Sequence, residues 1–415
     1  MIIAIFRSSW ALFLGIGLLM VGNSMQGTLL GIRGGLENFD PTVMGFVMAA
    51  YFIGFLGGSW VTPGMIRRVG HVRVFAALAS LISAAFIIYA VFVNPWAWAL
   101  MRLVVGFGFS GVYVVAESWV NNAADNEHRG QALSAYMIIQ MFGIVLGQAL
   151  INLSNPGGYD LFILMSVLVS ISFAPILLSA APAPVAATGE RMSITELFKS
   201  SPLGCIGSML LGGIFSALFG MAVVYAGELD FSVETTAAFI STIYVGGMLL
   251  QYPIGWISDR MDRRRVIMMA TMLGTAACVL GIIGAPSKTA LFVSAFVLGG
   301  VANPLYSLLL AHTNDFLPPE KMASASSGLV FLNGLGAMFG PVTVGYMMLW
   351  FGPNGFFLFN AVLCATISAY AAYRMTQRAA VDPDEAGSYV AVPTRSVIAA
   401  EVAAEIYSEE VVENE

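Results

Sequence analysis

Apolar stretches of about twenty residues recur along most of the chain, each closed by a charged residue, a proline or glycine turn, or a short polar loop. A hydrocarbon core about 30 Å thick takes about 20 helical residues at about 1.5 Å each. By that measure twelve membrane spans are predicted: Trp10 to Gly31, Pro41 to Val61, Val72 to Val93, Trp96 to Val120, Gln131 to Leu153, Tyr159 to Ala180, Pro202 to Ala226, Thr235 to Ile254, Val266 to Ala285, Thr289 to Ala311, Ala323 to Trp350 and Gly355 to Arg374. The fold class that follows is an all-α membrane protein. Arg7 ahead of the first span resembles a secretory leader, but the stretch is too long for an h-region and has no Ala-x-Ala-like site, so a retained first helix is expected.

The connections alternate in chemistry. Arg33, Asn94-Pro95, Asn155 to Gly158, Glu228 to Glu234, Ser287-Lys288 and Gly352 to Asn354 form one set, and the other set with the two ends holds nearly all of the 18 Lys and Arg. Basic loops stay on the cytoplasmic side, so both termini are expected there. A longer break at 182–200, with Pro182, Pro184, Glu190, Arg191 and Lys199, separates a six-helix half at 1–181 from a second at 201–374. Residues 375–415 carry nine acids against two bases, and a disordered acidic cytoplasmic tail is expected.

Composition narrows the function classes. The chain is 58% hydrophobic and 10% charged, with a net charge of −6 that comes from the tail, and no basic block suited to nucleic acid. Cys205, Cys278 and Cys364 sit singly in apolar runs, as buried small hydrophobes do. His71, His128 and His312 form no His-x-x-x-His pattern, and no nucleophile elbow or Gly-x-x-x-x-Gly-Lys-Ser/Thr run occurs. No enzyme, cofactor or metal site is expected.

Displaced by about 193 residues, the chain matches itself: Gly27 falls on Gly220, Gly106 on Gly299, Tyr113 on Tyr306, Asn121 on Asn314, Gly143 on Gly336 and Gly147 on Gly340. With one gap the shift becomes about 192, placing Gly54 on Gly246, Arg68 on Arg260 and Arg73 on Arg265. A shift of six helices preserves each helix's direction, which predicts two parallel repeats about an axis along the membrane normal.

Gly255-Trp-Ile-Ser-Asp259-Arg260-Met-Asp262-Arg263-Arg264-Arg265 closely resembles the Gly-x-x-x-Asp-Arg-x-Gly-Arg-Arg loop of the major facilitator superfamily, departing at Asp262. The first-half counterpart keeps Arg68, Gly70 and Arg73 but has Arg67 at the aspartate position. Arg102 to Gly111 is similar to that superfamily's intramembrane-arginine motif, and Gly336-x-x-x-Gly340-Pro341 to its Gly-x-x-x-Gly-Pro motif, here in the second half and matched by Gly147-Gln148 in the first. Glu117, Arg129-Gly130-Gln131 with Ala135-Tyr136-Met137, and Gln251-Tyr-Pro-Ile-Gly255 look like the YcaD-like branch of bacterial permeases. The resemblance implies a two-half, twelve-helix secondary transporter in a bacterial inner membrane. It implies a monomer moving a small organic solute through the bilayer by alternating access with protons as partner, and leaves uptake and efflux both open. A sensor on a transporter scaffold is the different-class alternative.

The resemblance also implies a cytoplasmic gate made by Arg67, Arg68, Arg73, Gly255, Asp259, Arg260, Arg263 and Arg264, with Glu117 either paired to Arg67 or Arg68 or carrying a proton. It implies a cavity lined by the first, fourth, seventh and tenth helices, where Asn23, Gln26, Arg102, Tyr113, Asn303 and Tyr306 are candidates, joined by Gln140, Tyr244 and Asn333. Around the helix, Tyr113 lies about 20° and Glu117 about 60° from Arg102, but about 22 Å separates Arg102 from Glu117 along the axis. An intramembrane charge is costly, so Arg102 serves either the cavity or an interhelix lock. A lone Asn or Gln in such a helix is either a substrate contact or interhelical glue. Phe215, Phe219 and Tyr225 read as packing or as a stacking platform, and His312, at the cytoplasmic end of the tenth span, as a structural or gate residue.

Overall fold

A computed structural model of the chain describes residues 2–123, 129–178 and 192–377. The acidic tail and most of the 182–200 connection, for which disorder and a linker are expected, lie outside the described residues. Twelve long helical segments follow one another: α1 Ile2–Leu36, α2 Pro41–Val69, α3 His71–Val91, α4 Pro95–Ala123, α5 Arg129–Leu150, α6 Asp160–Ser172 (continued by Ala174–Leu178), α7 Pro202–Ser216 (running on through Ala217–Met221 to Ala222–Glu228), α8 Val233–Ser258, α9 Arg263–Ile283, α10 Lys288–Asn314, α11 Pro319–Phe351 and α12 Gly355–Gln377. A short helix, Ile194–Ser200, precedes α7, so the end of the expected linker is ordered: Ser193 accepts the Glu196 N–H at 3.2 Å as its N-cap.

Among the described residues, ten apolar stretches are long enough to cross a membrane, and one of them, Ser324–Gln377, spans both α11 and α12, while α5 contributes the shorter Ile138–Leu153. Length and hydropathy thus agree with the twelve predicted spans. The helices overrun those spans at several ends, α1 beginning eight residues before Trp10, because helical hydrogen bonding continues through short polar interruptions such as Arg7 to Ser9. Ile138, Phe142, Trp60, Met272, Ile283 and Trp350 are exposed. Such side chains suit a hydrocarbon solvent.

The helix ends are fixed by residues visible in the sequence. Asp40 caps α2 through the Thr42 N–H at 2.8 Å, with Pro41 at the first helical position, where no N–H is needed. Gly70 adopts φ 85°, a backbone that costs other residues strain, and the tight turn there lets α3 begin at once.

The chain divides into two compact units, Met1–Thr188 with Ala226–Ala237, and Gly189–Tyr225 with Ala238–Glu415. In the first, α2 packs on α4, α1 on α5 and α6, and α3 on α4 and α6. In the second, α7 packs on α11, and α9 on α10 and α12. Both use glycine where backbones meet. A Cβ on Gly54 would stand 1.9 Å from the Leu103 carbonyl oxygen and one on Gly106 1.9 Å from that of Tyr51. Their repeat partners behave alike, Gly246 at 2.0 Å from the Phe296 oxygen and Gly299 at 2.2 Å from that of Ile243. The internal repeat is therefore a repeat of packing.

Candidate functional site

The crossing of α2 and α4 at Gly54 and Gly106 brings Tyr51 close to Arg102. The guanidinium stands 4.8 Å from the Tyr51 ring centroid and donates to Gln26 Oε1 on α1 at 2.8 Å, with Met48 Sδ at 3.3 Å. Gln26 in turn donates to Asn23 Oδ1 at 3.4 Å, the Tyr51 hydroxyl donates to the same oxygen at 3.5 Å, and Asn23 Nδ2 donates to the Tyr113 hydroxyl at 3.2 Å. That hydroxyl passes its own proton toward Met20 Sδ at 3.2 Å. Arg102, Gln26 and Tyr51 are 3% exposed or less, whereas Asn23 and Tyr113 are half-buried. The result is one connected polar string inside an apolar helix bundle, with a cation at its buried end and polar groups opening outward. Four of its members are sequence candidates. Tyr51 and the thioether of Met48 are additions.

The repeat shows what the scaffold alone requires. At the shifts that align the glycines, Arg102 falls on Ala295, Gln26 on Phe219 and Tyr51 on Ile243. The second unit makes the same glycine crossing with apolar residues at those places, Ala295 and Ile243 both buried. The charged string is not a requirement of the packing.

Nearer the other end of α4, Glu117 is buried and accepts from the Tyr136 hydroxyl of α5 at 3.2 Å. Arg67 and Arg68, the arginines considered for Glu117, are exposed in the last turn of α2, as is Arg73 in α3. One residue on, Ser118 meets His71 Nε2 at 3.1 Å, and the His71 ring packs edge-on against Trp119. Gln148, at the position where the superfamily's motif has proline, donates to the Ser24 carbonyl oxygen at 3.1 Å and accepts from Thr28 at 3.1 Å, tying α5 to α1. Gln140 is buried nearby on α5.

The remaining candidates belong to the second unit. Asn303 donates to Gln251 at 2.5 Å, joining α10 to α8. Asn333 donates to the Ser208 carbonyl oxygen at 3.1 Å, an interhelical tie between α11 and α7. Tyr306 is fully buried, and its hydroxyl has no hydrogen-bond partner among the described residues. Tyr244 stacks on Phe219 with centroids 4.8 Å apart, and Phe219 on Phe215 at 5.3 Å. Phe219 lies in a π-helical turn, Ala217–Met221, a local widening often found at working sites.

In the Gly255 to Arg265 loop, Gly255 is buried and Asp259 and Arg260 are exposed, Arg260 folding back over Trp256 at 4.1 Å from the ring centroid. The carboxylates set against the next two arginines differ from Asp259. Arg263 pairs with Asp315 at the end of α10, both nearly fully buried, and Arg264 makes a forked pair with Asp262 at 3.0 and 2.9 Å. Asp262 also caps α9 through the Arg264 N–H at 3.0 Å. Burial pushes its carboxyl up, but the side-chain and backbone hydrogen bonds from Arg264 outweigh this and hold it below the usual carboxylate range. The departure from the superfamily pattern thus supplies both a cap and a counter-ion.

The Major Facilitator Superfamily model matches residues 12–250 and 205–402. The chain belongs to the major facilitator superfamily. Its members transport solutes and are not enzymes, so this one is a multi-pass membrane transporter. It is 25% identical over 358 residues to an uncharacterized transporter of the superfamily named YcaD from Escherichia fergusonii, covering 86% of this chain and 92% of that protein, and 24% identical to the Escherichia coli YcaD. Its fold is similar to the nucleoside transporter NupG at TM-score 0.71 and 17% identity, covering 89% of this chain and 98% of NupG. It is also similar to the Escherichia coli fucose:proton symporter FucP at 0.56 and 14%, covering 89% and 99%.

For this superfamily member, Tyr51 and Asp315 escaped the sequence reading for different reasons. A tyrosine within an apolar helix looks the same whether it packs or stacks on a cation. Asp315 lies just past a span end, where acids are ordinary, and only the fold sets it against Arg263.

Proposed function

We propose that this chain is a proton-coupled secondary transporter of a small polar organic solute, working by alternating access, with the Arg102 string as the substrate and coupling site. The observation that supports this is the buried arginine chained through Gln26 to Asn23, Tyr51 and Tyr113, at a place where the repeat shows that packing needs no charge. A desolvated guanidinium favours a solute with a carboxylate or another strong acceptor. Asn23 and Tyr113, the half-buried members, are the first groups such a solute meets. Glu117, whose carboxylate Tyr136 steadies, is the proton-carrying candidate, and the Arg263–Asp315 and Arg264–Asp262 pairs belong to the cytoplasmic gate.

The test is proton movement in everted membrane vesicles. Vitamins, amino acids, sugars, organic anions and drugs are added in turn to preparations with and without the protein. A compound that collapses the acid-inside gradient only when the protein is present identifies the solute and an antiport direction. If none does, radiolabelled uptake of the same panel in intact cells should show gradient-dependent accumulation by symport. Absence of both would overturn the proposal and leave the sensor reading.

A further inference from the structure

Two helices of the second unit open at one place each. From Leu211 to Tyr225 every residue of α7 is buried except Phe219, and from Leu298 to Asn314 every residue of α10 is buried except Asn303. Both exceptions are half-buried. A single accessible side chain on a helix otherwise enclosed by protein marks an internal space. A helix that faces hydrocarbon instead shows a row of exposed apolar residues, as α8 does at Val245, Met248, Leu249 and Tyr252. The two openings differ in chemistry, one presenting an aromatic ring and the other a carboxamide.

Each is built into the fold. Phe219 sits in the π-helical turn Ala217–Met221, at the repeat position that Gln26 holds in the first unit. Its ring packs against the buried Phe215 at 5.3 Å and against the half-buried Tyr244 of α8 at 4.8 Å between centroids. The Gly246 and Gly299 crossing holds α8 against α10, and Gly247 leaves the room that the Asn303 side chain takes, since a Cβ there would stand 3.0 Å from the Asn303 Cβ. Asn303 donates to Gln251 Oε1 at 2.5 Å. That bond uses one of the four N–H groups of the two carboxamides, so three N–H groups and the Asn303 Oδ1 remain for water or a solute. Tyr244 and Gln251 are seven residues apart, which puts them on one side of α8 about 10 Å from each other.

We propose that Phe219 and Tyr244, with Gln251 and Asn303, form a binding subsite for a solute that carries a flat aromatic ring joined to an amide. The ring extends the aromatic stack at Phe219, and the solute's C=O and N–H meet carboxamides that offer both donors and an acceptor. A span of about 10 Å holds both groups within one small molecule. The subsite lies wholly in the second unit. It rests on the reading of this chain as a carrier of a small organic solute, and it narrows that solute's class.

The test is calorimetric binding to the full-length protein in detergent, with three probes that share a carboxylate. Hippurate has a flat ring and an amide, its cyclohexyl counterpart has the amide and a puckered ring, and phenylbutyrate has the flat ring without the amide. Hippurate should bind about tenfold more tightly than either of the others. Phe219→Leu keeps an apolar side chain and should erase the preference over the cyclohexyl probe while leaving that over phenylbutyrate. Gln251→Met, matched in length, should do the reverse. Tyr252→Leu, an exposed neighbour on α8, should alter either preference less than about twofold.

A purely structural role for Phe219 would weaken all three probes alike and leave the ratios unchanged, and that result would overturn the subsite. So would equal binding of the three probes by the wild-type protein, or binding of none. Because binding in detergent needs no proton gradient, these preferences in a protein that shows no gradient-driven flux would support the subsite and count against proton coupling.

Discussion

Removing Gln26 and removing Arg102 should have unequal consequences for stability, although the two side chains share one hydrogen bond. Gln26→Leu keeps the guanidinium buried, 3% exposed, while deleting the acceptor it reaches at 2.8 Å. A hydrogen bond to a charged group is worth about 1.5 to 3 kcal/mol, and a buried charge deprived of it bears the desolvation cost. We expect a loss of about 2 kcal/mol. Arg102→Met has similar length and removes the charge together with its desolvation cost. It forfeits the Tyr51 cation–π contact, worth about 2 kcal/mol when desolvated, and the two terms roughly cancel. Its stability should fall within about 1 kcal/mol of wild type. In the double variant, Gln26→Leu should cost little, giving a coupling of about 1 to 2 kcal/mol. Apparent Tm by intrinsic fluorescence in one detergent ranks the four proteins. Additive losses, or an Arg102→Met variant less stable than Gln26→Leu, would show that Arg102 is a structural lock and refute the functional reading.

Gly106→Val drives a side chain into the Tyr51 carbonyl 1.9 Å away and should destabilise the first unit by about 3 kcal/mol or more, seen as lost folded yield in size-exclusion profiles; a normal yield would contradict the crossing. Asp262→Ala should cost about 1 to 2 kcal/mol through the lost cap and pair, measured by thermal melting. Because the folded Asp262 carboxyl titrates below its unfolded value, its charge stabilises the protein above the ordinary carboxylate range and is lost as pH falls through the folded value. Asp262→Asn keeps the cap, lowers Tm near neutral pH, and should flatten the acid limb of the Tm profile; an unchanged limb argues against the Arg264 pair. Glu117→Gln retains an acceptor for Tyr136 and should fold normally while losing the pH dependence of transport, whereas Glu117→Ala should also lower Tm.

The twelve helices were legible because a bilayer imposes one length on every span, and the repeat because glycines at backbone crossings tolerate no substitute. The Asn23, Gln26, Arg102 and Tyr113 grouping was legible as well, since polar groups in apolar helices stand out and a helical wheel puts Arg102 and Tyr113 on one face. What the sequence hid were contacts between helices that need the fold. Glu117 lies 19 residues from Tyr136, and only the α4 and α5 packing makes that hydroxyl its partner. Asp262 looked like a departure from a motif, when its role comes from the φ/ψ of a cap. Asn333, a site candidate by polarity, is turned toward the α7 backbone, and polarity alone carries no direction.

The most direct measurement is solute accumulation in proteoliposomes under an imposed pH gradient, comparing wild type with Arg102→Met, using the compound identified by the vesicle panel. The account predicts concentrative accumulation by wild type that collapses with a protonophore. It predicts none by a folded Arg102→Met variant. Full accumulation by Arg102→Met would remove the buried arginine from the transport site and contradict the account at its centre.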